Sequence, residues 1–335
     1  MALNQLNRMV HILRNRKGFK WAAYTLLVGG FVILSVRYQS NAAMRVNRAA
    51  LAPTINIESL PIAVPDSMIQ PLRSLVDSSL QLSLDKIIAK NKKWASLAAD
   101  KKLCVGLVDM RDIENVKFAR INGNHMMYAA SLPKIAVLLA AMDAIDKGEL
   151  EETDDVDYDM RIMISKSDNG ASTRMINRVG FDKIADVMED PKYDFYDEEQ
   201  GGGLWVGKRY AQAGDRHGDP MKNISHAASA TQVCRYYYLL SFGKLVSFDR
   251  SQQMLGYLSD PELHHKFVNT LDKVAPKAKV YRKSGSWQTY HADSALVWGS
   301  SWRKYILVAL ADDPNGEQIM RELMMEVDKT LKPKT

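Results

Sequence analysis

Ser131-Leu132-Pro133-Lys134-Ile135-Ala136-Val137-Leu138-Leu139-Ala140-Ala141-Met142 is the stretch that decides how this chain folds. After the lysine every residue is apolar, so a helix here buries its whole circumference and must lie at the centre of the molecule. The pattern predicts a helix over Ser131–Lys147, stopped by Gly148. Pro133 is tolerated in the first turn, where its missing N–H is no loss. Ser131 then opens a buried helix, with Lys134 three residues on and on the same face. A serine hydroxyl is a poor nucleophile until a neighbouring base takes its proton. A lysine can be that base when burial and nearby positive charge lower its pKa. The helix N-terminus supplies free N–H groups and a partial positive charge, which favour a developing oxyanion.

Ser-x-x-Lys alone is a weak signal, because Ser83/Lys86, Ser241/Lys244 and Ser301/Lys304 match it by chance. Ser131 differs in being followed, in order, by Ser167-Asp168-Asn169 and Lys283-Ser284-Gly285. Ser167 offers a second hydroxyl, suited to relaying a proton to a leaving nitrogen. Asn169 can donate to a substrate carbonyl and accept from Lys134, and Asp168 braces the turn. Lys283 is a cationic anchor for a substrate carboxylate, Ser284 adds a hydroxyl, and Gly285 lets a substrate backbone approach a strand.

Around these segments the chain alternates structural types. Gln70–Lys90 carries apolar residues at helical spacing, and strands are expected at Leu103–Met110 and Val116–Ile121. Helices are expected at Ala171–Val179, Phe181–Met188, Thr231–Leu240 and Arg250–Leu258, with a long loop at Asp194–Asn223. The acidic run Glu151–Asp159 reads as a solvated loop. Strands return at Val280–Lys283, Ser294–Trp298 and Tyr305–Ala311, before a closing helix over Gly316–Leu331. Strands at both ends with helices between them predict an α+β fold, its sheet assembled from distant parts of the chain.

The chain has 335 residues, 46% of them hydrophobic, enough for a full core. Its formal charge of +6 is uneven, since Arg8, Arg14, Arg16, Lys17, Lys20, Arg37, Arg45 and Arg48 precede the first acidic residue, Glu58. The remainder is near neutral, so no nucleic-acid footprint is expected. Residues 1–20 read as a basic cytoplasmic region and Trp21–Val36 as an apolar signal anchor or signal peptide. The denser charge in front of it directs the rest across a membrane. Asn41-Ala42-Ala43 is a poor cleavage site, which favours an uncleaved anchor. Residues 37–66 read as a linker and 67–335 as the folded domain. The expected location is the bacterial inner membrane, single-pass with a periplasmic domain, or the periplasm or exterior after cleavage.

Cys104 and Cys234 are too few for a disulfide framework and are read as two separately buried thiols, one bridge being the alternative. The histidines His125, His217, His226, His264, His265 and His291 lack metal-ligand spacing, so surface or core roles are expected and neither metal nor cofactor. Gly202-Gly203-Leu204-Trp205-Val206-Gly207-Lys208 nearly spells a nucleotide loop, but Arg209 replaces the required Ser or Thr, so no nucleotide is expected. Tyr236-Tyr237-Tyr238 is read as helix packing.

Ser131/Lys134, Ser167/Asn169 and Lys283-Ser284-Gly285 are similar to the SxxK, SDN and KTG set of class A β-lactamases and penicillin-binding proteins. Met163–Ala171 resembles the context of that family's second motif, and Asp293–Trp298 the strand after its third. The resemblance covers about Pro71 to Leu331. It implies an antiparallel sheet flanked by helices, an all-helical subdomain and a cleft between them. It further implies that Ser131 is acylated and that the oxyanion is held by the N–H groups of Ser131 and Ser286. Substrates would be a β-lactam, a related amide or ester, or a cell-wall peptide handled as a D-Ala peptidase or transpeptidase would. A non-catalytic module binding cell-wall fragments or a partner is the other class. Two departures stand out. Ser284 replaces the usual threonine, and no ExxLN glutamate follows the second motif, leaving Glu198 and Glu199 as the nearest candidates for a deacylation base.

Overall fold

The strands expected at the two ends of the chain meet in one five-stranded antiparallel sheet in a computed structural model, which describes residues 56–333 except 212, 300 and 301. Strands β1 (Leu103–Asp109) and β2 (Lys117–Ile121) precede the short strands β3 (Met127–Tyr128), β4 (Tyr196–Asp197), β5 (Gly202–Gly203), β6 (Trp205–Val206) and β7 (His226–Ala228). The long strands β8 (Lys279–Trp287), β9 (Tyr290–Trp298) and β10 (Lys304–Asp312) close the set. The main sheet runs β2-β1-β10-β9-β8, so β1 is drawn in beside β10, and β8 is left as an edge.

Alternation along the strands feeds two layers. Leu103, Val105 and Leu107 of β1 share a face with Leu307, Ala309 and Ala311 of β10. That face packs on helices α1 (Ser78–Lys90) and α2 (Lys92–Ala99) and on the C-terminal helix, Gly316–Leu331. The opposite face receives the helix Ala230–Ser241, which approaches so closely that a Cβ on Gly106 would lie 2.6 Å from Cys234 Sγ. Cys104 and Cys234 are both free and buried, and burial raises both thiols, Cys104 to about 12. Two separate thiols is therefore the arrangement found. Tyr236, Tyr237 and Tyr238 are buried packing residues, as expected.

The helical half is built around α3 (Lys134–Asp146), buried from Lys134 through Ile145. Helices α4 (Asp154–Ser165), α5 (Asn169–Val179) and α6 (Phe181–Glu189) pack on it. The remaining helices are α7 (Ala230–Ser241), α8 (Phe248–Leu258), α9 (Phe267–Val274) and α10 (Gly316–Leu331).

Three expectations need correcting. The acidic run is not a loop, because Thr153 caps α4 and places Asp154, Asp155 and Asp157 at the positive end of the helix dipole. Asp159 is buried there on Arg174 and Arg178. Gln70–Lys90 is not one helix, because Asp77 accepts from Leu80 N–H and starts α1, while Leu72–Leu75 forms a 3-10 turn. Residues 56–66 of the linker span are docked on the fold: Ile62 is fully buried and donates to Ser241 O at 2.7 Å. The basic segment 1–20, the apolar segment 21–36 and the rest of the linker to residue 55 lie outside the described residues. Among the described residues no helix is long and apolar enough to cross a membrane, and no cluster of His, Cys, Asp and Glu could hold a metal ion.

Candidate active site

Ser131 lies not on α3 but in the turn that leads into it. Lys134 N–H reaches back to Ser131 O at 3.3 Å, Pro133 takes the capping position, and the regular helix starts at Lys134. Ala130, just before the serine, has φ +50°, a left-handed conformation that costs a side-chain-bearing residue about 1–3 kcal/mol. The turn leaves Ser131 on the wall of a cleft of about 890 Å³ that also exposes Asn169, Tyr210, His226, Ser286 and Trp287.

Lys134 is fully buried, and its amine turns away from Ser131 to the second motif. It donates to Ser167 O (2.7 Å), Asp168 O (3.3 Å), Asn169 Oδ1 (2.9 Å) and Ser167 Oγ (3.4 Å), and sits 4.5 Å from the centre of the Tyr210 ring. No hydrogen bond joins it to Ser131 Oγ among the described residues. Burial lowers the Lys134 amine to about 7, against a smaller upward pull from Asp168. Asp168 caps α5 through Ala171 N–H at 2.7 Å, the bracing role expected of it. Ser167 itself holds φ +59°, a left-handed conformation, and its hydroxyl lies against the Lys134 amine.

The third motif reaches the same hydroxyl from the other side. Lys283 Nζ donates to Ser167 Oγ at 2.8 Å and to Ser284 O at 2.9 Å. It is buried rather than presented to the cleft, and burial followed by the Lys134 charge pushes it well below the ordinary lysine value. Two amines facing one hydroxyl in a dry setting titrate as a pair. The pair therefore gives up a proton far more readily than free lysine.

Gly285 presses on the Ser131 backbone. A Cβ there would lie 2.2 Å from Ala129 O, 2.6 Å from Ser131 N and 2.8 Å from Leu132 N. The edge strand β8 pairs along its length with β9 and bridges Ser259 through Tyr281, and Gly285 brings its free edge beside the Ser131 turn. Ser284 was expected to face substrate, but strand alternation turns it inward, where its Oγ meets His265 Nε2 at 3.3 Å. Ser286 lines the cleft, as expected, beside Ser131. Glu198 and Glu199 sit exposed on a 3-10 turn and do not reach the cleft, so neither is placed to activate water at Ser131. No Asp or Glu side chain is among the described residues lining it, whereas Lys208, Arg209 and Arg216 are.

Several supporting residues escape sequence reasoning. Buried Lys266 donates to Gly285 O (2.5 Å), Ser286 Oγ (2.8 Å) and Ala292 O (3.0 Å), pinning the third motif from behind. Burial lowers its amine to about 8. Arg282 and Asp293 form a buried bidentate pair at 2.7 and 3.0 Å, and Asp293 also accepts the Phe267 N–H that starts α9. Tyr210 packs against His226 with ring centres 4.3 Å apart and planes tilted by 41°. A tyrosine or histidine in a long aperiodic loop carries no local signal of this. Only the strand-like run His226-Ala227-Ala228 could have drawn attention to His226.

The model of the beta-lactamase enzyme family matches residues 92–162 and 160–331 of the chain. A search of curated proteins finds no match. Among solved structures, a β-lactamase from Sphaerobacter thermophilus DSM 20745 is 18% identical, covers 77% of this chain and 100% of its own, and has a TM-score of 0.59. A mutant of PBP-A, solved as an acyl-enzyme complex with penicillin G, is 16% identical over 78% of this chain and 98% of its own, at TM-score 0.58. A β-lactamase from Chitinophaga pinensis DSM 2588 is 15% identical over 75% and 99%, at TM-score 0.57. At these identities the structures speak for the fold alone.

Proposed function

This chain belongs to the beta-lactamase enzyme family, and within it we propose a serine hydrolase that works through an acyl-enzyme on Ser131. The observation that carries this reading is the meeting of Lys134 and Lys283 on Ser167 Oγ, next to a serine whose backbone Gly285 touches. The attacking Ser131 Oγ gives its proton to Lys134, which burial keeps partly neutral at neutral pH. The N–H groups of Ser131 and Ser286 receive the oxyanion, and no described group takes up the Ser131 N–H beforehand. Ser167 Oγ then carries the proton from Lys134 to the leaving nitrogen, with Lys283 in contact on its far side. Asn169 Oδ1 is taken by Lys134, which leaves the amide N–H₂ for a substrate carbonyl.

The substrate class is a β-lactam or a related amide or ester. The D-Ala ends of cell-wall peptides fit the same site, and three cleft cations suit an anionic ligand. The catalytic domain spans 67–335 with the docked segment 56–66 attached, and an exported, membrane-tethered location follows from the segment Trp21–Val36. Time-resolved intact-mass spectrometry of the chain with penicillin G, beside Ser131→Ala, tests the reading. A covalent adduct in wild type alone supports it. A lasting adduct means penicillin-binding behaviour, and rapid clearance with drug hydrolysis means a β-lactamase. No adduct overturns the β-lactam reading and favours the binding module.

A further inference from the structure

We propose that His226, acting through the Ser225 hydroxyl, is the base that activates water to break the Ser131 ester. This rests on the acyl-enzyme reading above. Three features of the cleft lead to it. First, an ester on Ser131 needs a base to be hydrolysed, and no carboxylate lines the cleft among the described residues. Second, His226 is held beside the nucleophile. It opens β7, and its carbonyl accepts the Ala129 N–H at 2.9 Å, two residues before Ser131. The His226 and Ser225 side chains line the same cleft as Ser131.

Third, the tautomer is fixed by its surroundings. Nε2 lies 2.9 Å from Lys208 O, and a carbonyl only accepts, so Nε2 carries the hydrogen. The lone pair is then on Nδ1, which lies 3.2 Å from Ser225 Oγ and accepts from that hydroxyl. The ring cannot swing away, with Tyr210 packed tilted against it at 4.3 Å and Tyr128 edge-on at 6.0 Å between centroids. The charged groups around it are cationic: Lys134, Lys208 and Arg216 oppose protonation, and the phenols of Tyr128 and Tyr210 bring no charge. Burial is the larger effect, and together with these cations it outweighs the hydrogen bond to Lys208 O and holds the imidazole neutral down to about 4. The result is a neutral base in a cleft that no described carboxylate lines.

In the step itself, water oxygen bonds to the acyl carbon while a water proton passes to Ser225 Oγ. The Ser225 proton moves to His226 Nδ1. When the bond from the acyl carbon to Ser131 Oγ breaks, the proton returns through Ser225 to Ser131 Oγ. The product leaves as a carboxylic acid that ionises in solvent, so one water is consumed for one ester and both residues end unchanged.

The test is quenched intact-mass spectrometry with penicillin G on the full chain, comparing wild type, His226→Gln and Ser225→Ala. The glutamine amide can still donate to Lys208 O, so the strand contact survives. The expected result is an adduct on Ser131 that forms in all three but decays about 10²–10⁴-fold more slowly in His226→Gln. Ser225→Ala should slow decay by a smaller factor. In His226→Ala, added free imidazole should restore decay, an effect that a merely structural histidine would not show. Equal adduct lifetimes in wild type and His226→Gln would overturn the proposal. Absence of both adduct and drug hydrolysis in wild type and His226→Gln alike would overturn it through the Ser131 reading on which it rests, and is told apart from equal lifetimes by that absence.

Discussion

Acylation of Ser131 should follow the titration of a lysine that burial has brought near neutrality. At the ordinary lysine value of 10.5, only about one amine in 3000 is neutral at pH 7; at about 7, half are. The fully buried setting of Lys134 thus raises the supply of free base at pH 7 by about 10³. The second-order acylation rate, which reports free-enzyme groups, should fall about tenfold per pH unit below 7 and level off above about 8. His226, held neutral down to about 4, stays out of that window. Stopped-flow or quenched-mass kinetics with penicillin G between pH 5 and 10 would measure the profile. In Lys134→Arg the side chain stays charged throughout, so acylation should drop by about 10²–10⁴ and lose the break near 7. A break above pH 9 in wild type would refute the argument that burial tunes this amine. Its persistence in Lys134→Arg would assign it to another group.

Gly285→Ala should cost at least about 10² in acylation, because its methyl meets only backbone atoms, 2.2 to 2.8 Å away, and must push β8 off the Ser131 turn. Asp293→Ala leaves the Arg282 guanidinium buried without its partner and should destabilise by about 3–5 kcal/mol in denaturant unfolding. His226 binds its proton at about 4 when folded and near 6.5 when unfolded, so the unfolded state holds more protons between those values. Stability should therefore be lost as pH falls from 6.5 to 4, by about 3 kcal/mol from this group. Urea unfolding at pH 7 and pH 4 should show a smaller loss in His226→Gln by that amount. Lys266→Met removes the donor shared by Gly285 O and Ser286 Oγ, and acylation should fall about tenfold or more while the pH 7 break stays in place.

Much of the architecture is legible because burial writes itself as pattern. The run Ile135–Met142 has no polar face, and the helix it forms is buried all round. Leu103–Val108 and Tyr305–Ala311 are continuous apolar runs because both faces of their strands are covered. Where the reading fails, a single side chain decides the outcome. Thr153 turns the acidic run into a helix start, and Asp77 moves the start of α1 past two turns of suitable spacing. The three motifs are legible as residue types, and the structure does bring Ser131, Lys134, Ser167, Asn169, Lys283 and Gly285 together. Their directions are not legible. Strand alternation hides Ser284, and the pull of three backbone and amide oxygens turns Lys134 toward Ser167–Asn169.

The least legible property is the charge balance beneath the cleft, which is made by residues far apart in the sequence. Lys134, Lys266 and Arg282 are all buried within electrostatic reach of the buried Lys283. Arg282 cannot shed its proton, and Asp293 is committed to it by two hydrogen bonds. That leaves three amines with no buried carboxylate of their own in contact. Desolvation favours their neutral forms, and each remaining charge lowers the next amine further. Lys266 can stay protonated, since three acceptors surround it. Lys283 has only a carbonyl and the Ser167 hydroxyl, and burial holds its amine well below the ordinary lysine value, so that when neutral its lone pair can accept from Ser167. Burial is thus what makes bases out of these lysines, and neighbouring cations add to it at Lys283 and Lys266. A carboxylate placed in this cleft would pair with them and raise their pKa values. On the proposed mechanism, a cleft in which burial frees Lys134 to deprotonate Ser131 and no described carboxylate lines the wall leaves deacylation to a neutral group, the role assigned to His226.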